Sequence, residues 1–133
     1  SSLLEAEKRL LGLISQSKKL YKMSSAQIKA EEFATNVYRR LAKSMYDSYE
    51  NGMSPDPAMM LNDFSGDDLS EASEVFYNLE VYSGDEETVK ELLYTIKLEK
   101  LNMRINAEAD PTNLMDLFKQ REELLNEKNT WEE

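Results

Sequence analysis

Residues 85–110 read DEETVKELLYTIKLEKLNMRINAEAD, and their apolar pattern decides the architecture. Val89, Leu92, Leu93 and Ile96 recur at three- and four-residue spacing, which places them on one face of a helix. Leu98, Leu101 and Ile105 form a second stripe that starts two residues beyond Ile96. Two residues advance a helix by about 200°, so the apolar face swings to the opposite side. A helix that changes its buried face midway leaves one packing neighbour and takes up another. This stretch therefore predicts a continuous helix over about residues 85–109, joining a bundle (residues 1–96) to a helical hairpin (residues 97–133).

Working outward, Asp110-Pro111-Thr112 is a turn with a fresh helix N-cap. Leu114, Leu117, Phe118, Leu124 and Leu125 then supply a face to close against Leu98, Leu101 and Ile105. On the other side, Ser83-Gly84-Asp85-Glu86 opens the long helix, and Leu69, Ala72, Val75, Phe76 and Leu79 predict the helix before it. Pro55-Asp56-Pro57 offers a cap and an N-terminal proline to a short helix with Met60, Leu61 and Phe64 inward, stopped at Ser65-Gly66. The strongest periodicity lies further upstream, where Phe33, Ala34, Val37, Tyr38, Leu41, Met45 and Tyr49 share one face of a helix over about residues 30–50. Asn51-Gly52 ends that helix. Leu20, Met23 and Ile28 indicate a short helix within residues 17–28. Near the start, Ser2 and Glu5 have the form of a capping box, followed by the stripe Leu3, Ala6, Leu10, Leu13 and Ile14. The fold class is all-α: a bundle of about five to six helices followed by a C-terminal helical hairpin.

Charge is distributed unevenly along the 133 residues, whose formal net charge is −10. Residues 1–50 hold nine Lys/Arg against six Asp/Glu, net +3, whereas residues 51–88 hold ten Asp/Glu and no Lys/Arg. Residues 89–133 hold seven against ten, net −3. An acidic chain repels phosphate backbones, so only weak nucleic-acid binding is expected. The acidic block reads first as a solvated surface with charge at helix N-termini, and second as a field that steers a basic partner.

Catalytic chemistry finds little to stand on. With no His and no Cys, nucleophile–His pairs, thiolate zinc sites and helical Glu-x-x-His metal sites are excluded. Gly12, Gly52, Gly66 and Gly84 are isolated, so there is no glycine-rich phosphate loop. Adjacent carboxylates at Glu31-Glu32, Asp67-Asp68 and Glu122-Glu123 fall where solvated helix faces are expected. No catalytic residue, cofactor or metal ligand is assigned. No apolar run approaches the roughly 18 residues of a membrane span. The chain opens Ser1-Ser2-Leu3 with neither a signal pattern nor an initiator Met, as expected of a fragment or processed chain, and the cytosol is the default location.

Three features invite a functional reading. Tyr38, Tyr46 and Tyr49 share a helix with Phe33 and are expected to pack in the core with their hydroxyls at its rim. Met53, Met59 and Met60 read as core filler before an adaptable contact surface. Arg39-Arg40 with Lys43 faces away from its helix's apolar stripe, either as a solvated face or as the footprint of an acidic partner. Trp131 lies beyond the periodic pattern and is either frayed or docked against the hairpin or a partner.

Taken in order, four stretches resemble the C-terminal, helicase-binding domain of bacterial DNA primase, the DnaG family. They are Glu5-Ala6-Glu7-Lys8-Arg9-Leu10-Leu11; the aromatic helix running into Tyr49-Glu50-Asn51-Gly52; Pro55-Asp56-Pro57 with Met59-Met60-Leu61; and Asp110-Pro111 leading to Leu114-Met115-Asp116-Leu117-Phe118-Lys119-Gln120-Arg121. That resemblance implies a non-catalytic interaction domain whose hairpin docks on the N-terminal collar of the DnaB-type replicative helicase, while the bundle modulates it. The zinc-binding and primer-synthesising domains of a whole primase would be absent. The helicase's own N-terminal domain shares this fold, and residues 5–12, Glu-Ala-Glu-x-x-x-Leu-Gly, suit it too. Absence of a His in the third helix and the Leu117-Phe118-Lys119-Gln120-Arg121 ending favour primase. An unrelated helical adaptor and a metal-dependent helical hydrolase complete the alternatives. Under the primase reading, Met115, Phe118, Lys119, Arg121, Glu122, Lys128 and Trp131 are the expected helicase contacts, because they lie off the Leu114–Leu117–Leu124 seam or at its edge.

Overall fold

The computed structural model describes residues 2–77 and 85–132, and among these it is all-helical. The order is α1 (Ser2–Ile14), α2 (Lys18–Ser25), a 3-10 turn (Ala30–Glu32), α3 (Asn36–Glu50), α4 (Pro57–Leu61), α5 (Gly66–Tyr77), α6 (Glu86–Ala107) and α7 (Pro111–Asn129), closed by a second 3-10 turn (Thr130–Glu132). Side-chain caps set most of the helix starts. Ser17, Thr35, Asp56, Asp85 and Asp110 each accept a hydrogen bond from a backbone N–H in the first turn of the helix that follows, and Pro57 and Pro111 take the proline-tolerant first positions. Gly52 and Gly66 occupy the left-handed region (φ 74° and 58°), where a side chain would be strained. Gly66 supplies this conformation at the first residue of α5.

At the centre lies α1, packed against α2, α3, α5 and α6. A helix with neighbours on several sides keeps only a narrow polar face, here Ser2, Glu5 and Arg9, and α1 buries Leu3, Ala6, Glu7, Leu10, Leu11, Gly12, Leu13 and Ile14. Around it the core continues through Phe33, Leu41, Met45, Ala72, Val75, Val89 and Ile96. Tyr46 and Tyr49 anchor α3 here: the Tyr46 hydroxyl donates to the Ile28 carbonyl (2.9 Å) and the Tyr49 hydroxyl to that of Ile14 (2.6 Å). Both bonds are buried, so these hydroxyls lie inside the core and not at the rim. Tyr21 stacks on Tyr49 at 4.6 Å.

α6 runs unbroken for 22 residues, as the opening stretch predicts. Its first half, with Val89, Leu92, Leu93 and Ile96, belongs to the continuous core. Tyr94 and Leu101 are also buried but stand outside that core, on the side where α7 packs. α7 returns antiparallel, since Asn102 meets Arg121 whereas Glu91 meets Lys128.

Several local expectations differ from the fold. The helix expected over residues 30–50 is interrupted: Phe33 is extended (φ −65°, ψ 150°), and Thr35 caps a helix that starts at Asn36. Ala34 is consequently exposed, and its N–H is satisfied by a side chain from α1. Ser2 is the first residue of α1, and Glu5 pairs with Lys8 (2.8 Å) in place of a capping box. Met60 fills core, whereas Met53 and Met59 are exposed. Leu69 of α5 is exposed as well. Leu79, Ser83 and Gly84 lie outside the described residues.

Candidate functional site

The hairpin differs from the bundle in what it leaves uncovered. α7 contains no buried residue. Leu114, Leu117 and Leu124 are the half-buried leucines of α7, which packs on α6, where Leu101 is buried and Leu98 and Ile105 are half-buried. Phe118 and Leu125, expected in that face, are 40% and 42% exposed. Each directly follows a seam leucine, and one residue turns a helix by about 100°, which carries them past the edge of the contact.

Seen from outside, Met115, Phe118, Glu122 and Leu125 recur at spacings of three, four and three, so they line one stripe of α7. Met115 is 70% exposed, and Lys119 flanks the stripe. A large aromatic and two aliphatic side chains along an exposed helix, with charges beside them, resemble the centre and rim of a protein contact.

The seven expected contact residues divide into two groups. Met115, Phe118, Lys119 and Glu122 point outward. Arg121, Lys128 and Trp131 turn in on α6. Arg121 donates to Asn102 Oδ1 (2.8 Å), and its guanidinium lies 5.2 Å from the Phe118 ring centroid. Lys128 reaches Glu91 (3.5 Å) and stands 4.3 Å above the Tyr94 ring. Trp131 meets Tyr94 edge-on at 6.0 Å, and Lys90 lies 5.8 Å from its ring centroid. Trp131 thereby walls a cleft of about 340 Å³ between α2, α6 and α7, with Met23, Leu93, Tyr94 and Leu124 among its lining. Trp131 is docked.

The basic cluster on α3 has a structural use. Arg39 donates to the Phe33 and Ala34 carbonyls (3.1 and 3.3 Å). Arg40 donates to the Asp63 carbonyl (2.8 Å) and lies 4.3 Å from the Phe64 ring centroid. Lys43 pairs with Asp47 at 2.9 Å. The two arginines so engaged hold the turn before α3 and the residues that follow α4.

One charged residue escaped the sequence reading. Glu7 is fully buried on α1: Oε1 accepts the Ala34 N–H (2.8 Å), and Oε2 lies 3.8 Å from Lys100 Nζ. Burial pushes its carboxyl above the ordinary value, against the hydrogen bond from Ala34 and the charges of Lys100 and Arg39. A signal for it exists in the sequence: Leu3, Glu7, Leu10 and Ile14 follow spacings of four, three and four, so a carboxylate occupies a core register of the helix.

Among the described residues, no group of three or more Asp/Glu is placed to hold a metal ion, and no helix is long and apolar enough to cross a membrane. A helical bundle extended by a two-helix arm, with an exposed apolar stripe on the arm, is an all-α interaction-domain architecture with no feature of a catalytic centre among the described residues. The model of the DnaB-like helicase N-terminal domain matches residues 1–98, and the chain belongs to that family. No curated protein and no solved structure matches it.

This corrects the primase reading, and with it the view of the chain as a fragment of a DNA-directed RNA polymerase that docks on the helicase from outside. The physical reason is the shared fold. Helix periodicity, the Asn51-Gly52 stop and the Pro55-Asp56-Pro57 boundary report where helices start, stop and bury a face, so by themselves they do not separate two families that share a fold. What favoured primase was an ending, Leu117-Phe118-Lys119-Gln120-Arg121, beyond the matched residues, and the absence of a His. The opening Glu5-Ala6-Glu7 with Leu11-Gly12 lies inside the match.

Proposed function

We propose that this chain is the N-terminal assembly domain of a DnaB-type replicative helicase, acting by protein contact at the replication fork. The match over residues 1–98 carries this reading. The work divides between a bundle, residues 1–96, that sets the scaffold, and a hairpin, residues 97–133, that carries the contact. Its partner is the N-terminal domain of a second helicase subunit, with the stripe of Met115, Phe118 and Leu125 at the centre of the contact. A two-fold contact must be complementary to itself, and a stripe with apolar anchors beside both Lys119 and Glu122 suits that requirement. Phe118 is the expected hot spot, because aromatic side chains dominate such contacts and the other anchors are flexible aliphatics. A cytosolic location follows from the helicase reading.

Sedimentation equilibrium tests this directly. The chain is expected to self-associate with concentration, and Phe118→Glu to shift it to monomer while far-ultraviolet circular dichroism stays helical. Lys119→Ala is expected to have a smaller effect. A chain that stays monomeric throughout, or a Phe118→Glu variant that associates like the parent, would overturn the assignment of the hairpin contact.

A further inference from the structure

Between bundle and hairpin, the backbone of residues 32–34 is gripped from three helices at once. From α1, Glu7 Oε1 accepts the Ala34 N–H (2.8 Å). From α3, Arg39 donates to the carbonyls of Phe33 and Ala34 (3.1 and 3.3 Å). From α6, Lys100 Nζ donates to the Glu32 carbonyl (2.5 Å) and lies 3.8 Å from Glu7 Oε2. That second carboxylate oxygen is the one buried side-chain polar atom among the described residues without a hydrogen-bond partner.

A buried carboxylate is an expensive way to satisfy one N–H. Desolvating the charge opposes folding, and a well-packed apolar residue of similar volume is often at least as stabilising. What an apolar residue lacks is direction. Glu7 requires an N–H on one side and a cation on the other, and only one arrangement of α1, the turn and α6 provides both.

The cation's place in α6 is telling. Lys100 is four residues past Ile96, the last member of the continuous core on this helix, and immediately precedes Leu101, which is buried outside that core. One turn earlier, Lys97 donates to Gln27 at the end of α2. Among the described residues, Lys100 is therefore the last side chain of α6 with a hydrogen bond or ion pair to the bundle.

We propose that Glu7, Lys100 and the backbone of residues 32–34 form a joint that sets the direction in which the hairpin leaves the bundle. Glu7 acts here as a positioning residue. Its charge, and not its volume or its bond to Ala34 alone, holds Lys100 in place. Releasing Lys100 leaves both subdomains folded and lets the distal half of α6 swing.

The absence of Cys makes the test simple, because two introduced thiols take spin labels uniquely. Lys22→Cys on α2 and Thr112→Cys at the start of α7 are both at exposed positions and report bundle-to-hairpin distances by pulsed dipolar spectroscopy, with unlabelled protein in excess so that labels on different copies do not couple. Glu7→Gln keeps an acceptor for Ala34 and removes the charge; Lys100→Met keeps the stem and removes the ammonium. Each is expected to broaden or shift the distance distribution while helicity is unchanged, and the double variant to do no more than the larger single one. If Glu7→Gln does not fold, Lys100→Met, at a position that is not fully buried, decides alone. A distribution in Lys100→Met like that of the parent overturns the joint. So do single effects that add in the double variant, since the two groups would then act independently.

Discussion

α1 and α7 occupy opposite extremes of this molecule. α1 buries eight of its 13 residues, whereas α7, with 19, buries none. Neighbours make the difference. α1 is surrounded by α2, α3, α5 and α6; α7 rests on α6 and on the 3-10 turn that follows it. The first arrangement removes most apolar surface from water and stabilises the domain. The second leaves Met115, Phe118 and Leu125 in solvent, which contributes little to folding and leaves them available to a partner. Burial is concentrated in the bundle and exposed apolar surface on α7.

Leucine truncation puts the greatest strain on this comparison. Leu10→Ala, at a position with no exposed surface, is expected to cost about 2–5 kcal/mol, because the cavity cannot collapse between so many neighbours. Leu117→Ala, half-buried in the seam, is expected to cost about 1 kcal/mol or less. Urea denaturation followed by circular dichroism reads both. Equal losses would mean that the hairpin is as integral to the core as α1.

Helix caps sharpen the same contrast at smaller magnitude. Thr35 and Asp110 perform one task, accepting the N–H of Tyr38 at 3.0 Å and of Asn113 at 3.2 Å. Replacing either with Ala removes about 1 kcal/mol of cap. For Thr35→Ala the loss is expected in global unfolding, since α3 belongs to the cooperative core. For Asp110→Ala it is expected as faster amide exchange confined to the first turn of α7, with the bundle's protection unchanged. Loss of protection throughout the chain in the second variant would join the two regions into one unit.

The smallest effect comes from acid. Burial raises the Glu7 carboxyl above 4.5, so the folded state holds this proton more tightly than the unfolded chain does. Stability from Glu7 therefore grows as pH falls through the raised value, and levels off below 4.5, where both states are protonated. Lowered carboxyls such as Glu5 and Asp85 work in the opposite sense, but they do so in parent and variant alike. The stability difference between the parent and Glu7→Gln is thus expected to move in the parent's favour from pH 7 towards 4.5. A difference that does not change with pH would show that Glu7 feels no burial.

Legibility followed the same gradient. Where a helix has one clear buried face, as in α3 beyond Thr35 or the first half of α6, spacing of Val37, Leu41, Met45 and Tyr49, or of Val89, Leu92 and Ile96, was enough to find it. Where faces are shared or thin, spacing misled. Phe118 looked like seam by its chemistry and lies beyond it by one helical step. Ala34 looked like core by its spacing and sits in a turn. Arg39 and Arg40 looked like a surface patch, because nothing local reveals that carbonyls at Phe33, Ala34 and Asp63 come within their reach.

Local chemistry determined several helix boundaries by itself: the caps at Asp56 and Asp110, prolines at 57 and 111, and glycines at 52 and 66 act over three or four residues, within reach of sequence, whereas the Thr35 cap was masked by apolar spacing that runs on through Phe33 and Ala34. Periodicity, which depends only on the pitch of a helix, determined that α6 changes faces and that a hairpin follows. Tertiary structure alone decided how Glu7 is used, because its partners Ala34 and Lys100 lie 27 and 93 positions away, and a carboxylate's fate in a core depends on which donors arrive. It alone decided which of the hairpin's apolar residues stay in water, since that depends on where a single neighbouring helix ends its contact.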